Sequence, residues 1–281
     1  MKKVAIVKTF MRPDRFRETI SSLLTAGTQE ILVAYDGPDE YWDEHRQIAF
    51  QANQIADVEI FRFPYDYGLA ACRNRLVEQI SERIFLMVDD DIIVPKNIWD
   101  AVGIMATPNL AAAAFPWIVG GSVFQIDAWD IEFTNNGRTL RKILKLPKKI
   151  AITNGFLFAY PFDFVPNQAF WSRSFLSEFK WDEHYVIEGE HEDLAIQVKP
   201  SKWFFAVCLN VFLTHMHDYK DSKYASHRFS DEKWKRSWLY LFHKWNIDSY
   251  ESGGELLPPL NLSKLPRFES VRESREKWIN K

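Results

Sequence analysis

The stretch Ile84-Phe85-Leu86-Met87-Val88-Asp89-Asp90-Asp91 joins five apolar residues to three consecutive aspartates. A short apolar run without alternation reads as a strand covered on both faces, the mark of a parallel sheet beneath helices. Ligands of such sheets collect at the carboxyl ends of strands, where these aspartates stand. Three adjacent carboxylates in a dry site repel one another unless a cation or strong donors compensate. A divalent metal is the economical explanation, and oxygen ligands suit Mn²⁺ or Mg²⁺ with substrate phosphates completing the shell.

Outward from this strand the same grammar repeats. Val4 to Phe10 (VAIVKTF) is a buried-strand run, and Pro13 opens a helix with Phe16, Ile20, Leu23 and Leu24 on one face. Ile31 to Tyr35 is the next strand, ending in the turn signal Asp36-Gly37-Pro38. A helical stretch from Glu40 to Asn53, a strand from Val58 to Phe63 and a helix from Leu69 to Glu82, opened by Tyr67-Gly68, complete the series. Repeated βα steps predict an α/β fold with a mostly parallel central sheet, right-handed crossovers and flanking helices. The region from Pro108 to Ile152 is less regular, with strands expected at Leu110 to Phe115 and Ser122 to Ile126. Its basic stretch Arg138 to Lys149 (RTLRKILKLPKK) is expected to form an exposed lid, with Lys142, Lys145, Lys148 and Lys149 as a phosphate-binding stripe. A helix from Ser172 to Phe179, the acidic cluster Glu188 to Asp193, a helix to Lys199 and a strand from Phe204 to Leu213 follow.

Composition narrows the function classes. The 281 residues carry 35 Lys and Arg against 38 Asp and Glu, a net charge of −3, which argues against a surface built as a whole to track phosphates. At 47% hydrophobic and 26% charged, the chain folds rather than remaining disordered. Cys72 and Cys208 make no disulfide framework and fit a reducing, cytoplasmic setting. Lys8 interrupts the first apolar run too early for a signal peptide, and Leu110 to Val119 contains Pro116 and is too short to cross a membrane. The 11 Trp, 10 Tyr and 22 Phe exceed what core packing alone calls for and point to flat, amphipathic binding surfaces.

Several side chains are placed to carry chemistry. His215 and His217 share one side of a strand end, so either imidazole completes the coordination that Asp91 begins. A carboxylate of the Glu190 to Asp193 cluster, set near a metal and an acceptor hydroxyl, serves as general base; the same cluster also reads as an acidic first turn complementing a helix dipole. Arg73 pairs with a carboxylate or phosphate, Asn74 meets a nucleotide edge, and Asp36 accepts from a nucleobase N–H.

The ordered set of the VAIVKTF strand, Asp36-Gly37, Gly68-Leu-Ala-Ala-Cys-Arg73-Asn74, Asp89-Asp90-Asp91, Glu192-Asp193 and His215 resembles the nucleotide-sugar-dependent glycosyltransferases of the GT-A fold, most closely the inverting family 2 type. Asp89-x-Asp91 with the later Glu-Asp and the His ahead of Tyr219 to Arg228 is also similar to the β-1,4-galactosyltransferase group. The resemblance covers Met1 to Arg228 and implies that Thr9, Arg12, Asp36, Arg73, Asn74 and Asp89 line the nucleotide-sugar pocket, with Asp90 ambiguous beside them. It implies that Asp91 and His215, or His217, bind the metal, and that Asp193 is the base with Glu192 as acceptor-binding partner. Glu190 contests the base role or joins Trp171 in the acceptor subsite, where Trp117, Trp129 and Trp203 also fall. The implied partners are a nucleotide-sugar donor, with UDP as the expected nucleotide, and an acceptor left open among glycan, lipid-linked glycan, protein and modified nucleic acid.

The expected catalytic domain spans residues 1–228, with a nucleotide-binding half to 107 and an acceptor-binding half after it. Residues 229–281 form a helical extension and arm. In that extension Trp234, Trp238, Leu241 and Trp245 share a helical face expected to pack on the domain, and the arm is a candidate for self-association. Two rival readings remain: a nucleotidyltransferase, disfavoured because Thr9-Phe10-Met11-Arg12-Pro13 has no glycine-rich phosphate loop, and a carbohydrate-binding protein without turnover, which predicts no dependence on Asp91.

Overall fold

A computed structural model describes residues 1–119, 123–143, 151–216, 222–228 and 230–252. The first part of the chain follows the expected alternation: β1 (Val4–Thr9), α1 (Pro13–Thr25), β2 (Glu30–Tyr35), α2 (Trp42–Ala52), β3 (Asp57–Arg62), α3 (Leu69–Gln79) and β4 (Ile84–Asp89). Pro13 sits in the first turn of α1, where its missing N–H costs nothing, and Phe16, Ile20 and Leu23 are buried against the sheet. After β5 (Ile92–Ile93) come β6 (Leu110–Ala114), β7 (Trp117–Val119), β8 (Val123–Gln125), β9 (Asp130–Thr134), β10 (Thr139–Ile143), β11 (Ile152–Asn154) and β12 (Leu157–Phe162). Then follow β13 (Ala169–Ser172), α4 (Arg173–Glu178), α5 (Glu190–Val198), β14 (Phe204–Cys208), β15 (Leu213–His215), α6 (Ser222–Arg228), α7 (Asp231–Trp245) and β16 (Ser249–Ser252).

The central sheet has nine strands in the order β11-β12-β14-β6-β13-β4-β1-β2-β3. Strands β1, β2, β3 and β4 pair in parallel, and the register that sets Thr9 beside Tyr35 and Lys8 beside Asp89 brings their carboxyl ends to one edge. β13 runs antiparallel between β4 and β6. Its start therefore lies at that same edge and delivers Asn167 and Gln168 there. A second sheet, β5-β15-β7-β8, carries His215. The expected strand from Phe204 to Leu213 is split between the two sheets: after β14, Asn210 turns the chain by donating to the Phe156 carbonyl at 2.7 Å and accepting from the Phe158 N–H.

The basic stretch is not a wholly exposed lid. β9 and β10 form a hairpin extended by β16, and Lys142 on β10 is buried. Lys145, Lys148, Lys149, His217 and residues 253–281 lie outside the described residues. The Trp-striped helix packs as expected: Trp238, Leu241 and Phe242 of α7 join Tyr185, Ala195, Ile196 and Tyr250 in one apolar cluster. Among the described residues no helix is long and apolar enough to cross a membrane.

Trp171, expected in the acceptor subsite, belongs instead to the core. It is 2% exposed, packs edge-on against Trp181 and Phe205, and donates its indole N–H to the Asn167 carbonyl at 3.0 Å. β13 is sandwiched between two strands, so alternate side chains of this strand enter the core whatever their chemistry. Trp171→Ala is expected to cost about 3–5 kcal/mol in urea unfolding; a side chain serving only the cleft would leave stability unchanged.

Candidate active site

The parallel half ends on a cavity of about 720 Å³, lined by Lys8, Phe10, Arg12, Asp36, Gly68, Arg73 and the aspartate run. Trp117, Trp129, Lys142, Phe164 and residues 188–192 line it as well. Two glycines shape this floor. Gly68 starts α3 at φ 104°, where a Cβ would stand 3.0 Å from the Val186 Cα. Gly189 precedes α5 at φ 86°, where a Cβ would press 2.8 Å from the Tyr185 ring. Both therefore need the left-handed freedom of glycine.

The three aspartates have separate partners. Asp89 accepts from Arg73 Nη2 at 3.0 Å and Gln168 Nε2 at 2.6 Å. Asp90 accepts from the Thr9 hydroxyl at 2.8 Å and from Arg12 Nη2. Asp91 accepts from Arg12 Nη1 at 2.7 Å and faces His215 Nε2 at 3.2 Å. Burial pushes the Asp90 carboxyl up against the pull of Arg12. At Asp91 burial acts the same way but is outweighed by Arg12 and His215, which hold its carboxyl well below the usual carboxylate range. Arg12 thus forks across two carboxylates while its face lies 4.0 Å from the Tyr224 ring centroid.

At the β2 end, Asp36 accepts from the Gly68 N–H at 3.0 Å and pairs with Lys8 at 2.7 Å. Arg73, 2% exposed, also donates Nη1 to Glu190 Oε1 at 3.2 Å. Lys142 donates to Glu192 Oε1 at 2.6 Å with its ammonium 3.9 Å from the Phe164 ring centroid. Burial pulls that ammonium down, but Glu192 more than offsets it and holds it above its ordinary range. α6 lies along one wall: His227 stacks on Phe10 at 4.2 Å and Arg228 pairs with Glu188 at 3.0 Å.

Some expected site residues stand elsewhere. Thr9 is fully buried behind Asp90 and also bonds His45 at 3.0 Å, so it supports the aspartates rather than lining the cavity. Asn74 is turned away and donates to the Trp181 carbonyl at 2.8 Å and to Glu183 at 3.1 Å, fastening the segment before α5. Asp193 has no exposed surface; it accepts from Tyr185, Gln197 and the Trp245 indole, the last two at 2.6 and 2.7 Å, and pairs with Lys244 at 2.8 Å. Its carboxylate is saturated by donors that dock α7, which leaves no lone pair for an acceptor proton. Trp203 donates to Glu178 at 2.9 Å and packs on Phe175, away from the cleft that Trp117 and Trp129 line. Lys8, His191 and the α6 side chains were not singled out for this site, and Lys142 was expected only in an exposed phosphate-binding stripe; for Lys8 the signal was a cation interrupting an otherwise apolar strand.

Asp193→Ala should therefore act on stability, costing about 1–3 kcal/mol by leaving the buried Tyr185 hydroxyl and the half-buried Trp245 indole of α7 without their acceptor. Urea unfolding followed by tryptophan fluorescence checks this; an unchanged midpoint would contradict the docking role.

In a structure determined with UDP, GalNAc and Mn²⁺, GalNAc-T7 shares this architecture with a TM-score of 0.60 at 14% identity, over 78% of this chain and 44% of its own. The mannosyltransferase PcManGT from Pyrobaculum calidifontis, in complex with GDP-Man and Mn²⁺, aligns with a TM-score of 0.57 at 12% identity over 93% and 67% of the two chains. TarS of S. aureus aligns with a TM-score of 0.54 at 14% identity over 77% and 37%. The chain spans less than half the length of GalNAc-T7 and TarS. These likenesses establish the GT-A fold. No curated protein matches the sequence. The family model described as glycosyl transferase family 2 matches residues 4–166, from the first strand to the residue before Asn167. Because that match takes in more than half of the sequence, including the strand that delivers the aspartates, the chain belongs to glycosyl transferase family 2.

Proposed function

We propose that the protein transfers a sugar from a UDP-sugar to an acceptor hydroxyl with inversion at the anomeric carbon, aided by Mn²⁺ or Mg²⁺. The observation that carries this reading is the meeting of Asp89, Asp90 and Asp91 with Arg12, Arg73 and His215 in one cavity at the sheet's carboxyl edge. Family membership and neighbours solved with UDP, UDP-GlcNAc and GDP-Man support a nucleotide-sugar donor.

Asp91 and His215 fit a divalent cation. Their facing atoms are 3.2 Å apart, close to the roughly 3 Å separation of neighbouring ligands on an ion with ~2.1 Å bonds, and the oxygen and nitrogen pair suits Mn²⁺. Among the described residues no cluster of three or more acidic, His or Cys side chains gathers around a cation, so donor phosphates and water would complete the shell. When bound, the ion supplies charge neutralisation to the departing diphosphate. Arg12 adds fixed positive charge beside the same carboxylates, and Arg73 holds Asp89 in place. Asp36, Phe10 and Gly68 frame the end of the cavity assigned to the nucleobase. Trp129, half-buried at the cavity, offers a flat face on which a sugar ring can stack. Buried free thiols at Cys72 and Cys208 support a reducing, cytoplasmic setting.

UDP with Mn²⁺ at about 100 times its dissociation constant should raise the melting temperature by about 5 °C or more, and Asp91→Asn should abolish the shift. Unchanged metal-nucleotide binding by that variant would remove Asp91 from the cation site.

A further inference from the structure

We propose that His191, rather than a carboxylate, is the general base, an assignment that rests on the transfer reaction proposed above. Three acidic side chains of α5 are spoken for. Asp193 is fully buried and bound to α7, Glu190 sits 2% exposed against Arg73, and Glu192 holds the buried Lys142 ammonium. A proton placed on Glu190 or Glu192 would leave a buried cation without its counter-charge. His191 lies between them, lines the cavity and keeps about a quarter of its side chain, 24%, accessible.

Its tautomer is fixed by a chain of donors. The guanidinium of Arg73 can only donate, so the amide atom of Asn167 that faces both Arg73 Nη atoms is the oxygen. His191 Nε2 lies 2.7 Å from that same oxygen and must donate its proton to it. The Nδ1 lone pair is then the basic site of a neutral imidazole, and among the described residues no hydrogen bond engages it. Arg73 also holds Asp89, so one buried guanidinium sets both the aspartate run and, through Asn167, the proton acceptor.

The step balances without any further reactant. The acceptor O–H gives its proton to His191 Nδ1 as its oxygen bonds to the anomeric carbon, and the bond from that carbon to the diphosphate oxygen breaks with its electron pair leaving on UDP. The imidazolium then releases the proton to solvent. Water replaces the acceptor in slow donor hydrolysis, which makes the assignment testable without knowing the acceptor.

The test measures UDP release from UDP-GlcNAc, UDP-glucose and UDP-galactose with MnCl₂, alongside the thermal shift each gives. His191→Ala and His191→Gln should keep the wild-type shift and lose at least about 100-fold in UDP release, with free imidazole restoring part of the rate to His191→Ala. A His191→Ala enzyme within threefold of the wild-type rate overturns the assignment. So does a His191→Ala loss that free imidazole does not relieve. Wild-type protein that neither shifts with nor hydrolyses any nucleotide sugar would instead overturn the transfer reaction itself.

Discussion

The site hangs on one buried cation. Arg73 leaves α3 almost without solvent contact and meets Asp89 at the end of β4, Glu190 at the start of α5 and the Asn167 amide just ahead of β13. Burying a guanidinium is tolerable only where carboxylates and amide oxygens satisfy it, so these four elements cannot move independently. The same contact set ties α3 and β4 to α5 and the start of β13. A substitution at Arg73 would strand two carboxylates at once, and its effect would therefore spread beyond any single contact.

Around this hub, each aspartate has a different electrostatic setting. Asp89 is held by Arg73 and Gln168, Asp90 by Thr9 and Arg12, and Asp91 by Arg12 and His215. Mutual repulsion within the run is offset by fixed positive charge, which allows three acids to stand side by side at a sheet edge. Asp91 is the member whose partners include an imidazole from the second sheet. The C-terminal helix is bound in by a separate buried acid, Asp193, so α7 is fastened to α5 itself rather than resting on the surface.

The repeat of β1 to β4 with its helices was readable because buried parallel strands are continuous apolar runs and their helices carry one apolar stripe. Asp36 and the aspartates were legible for the same reason: each sits where such a run stops. β13 was not legible as an antiparallel insertion, since a four-residue strand carries no direction in its composition. Trp171 and Trp129 are the same residue type in the same half of the chain. One faces the core and the other the cleft because of strand placement alone.

The acidic cluster from Glu190 to Asp193 shows the division most clearly. Sequence by itself determined that this protein has an α/β core with carboxylates at its strand ends, because hydrophobic periodicity and strand-end position are local properties of the chain. Only the tertiary structure decided that Asp193 faces α7, that Lys142 neutralises Glu192, and that His191 lines the cavity with about a quarter of its side chain accessible. The physical reason is that a side chain's role depends on which hydrogen-bond partners reach it, and those partners arrive from residues 24 to 52 positions away in the chain.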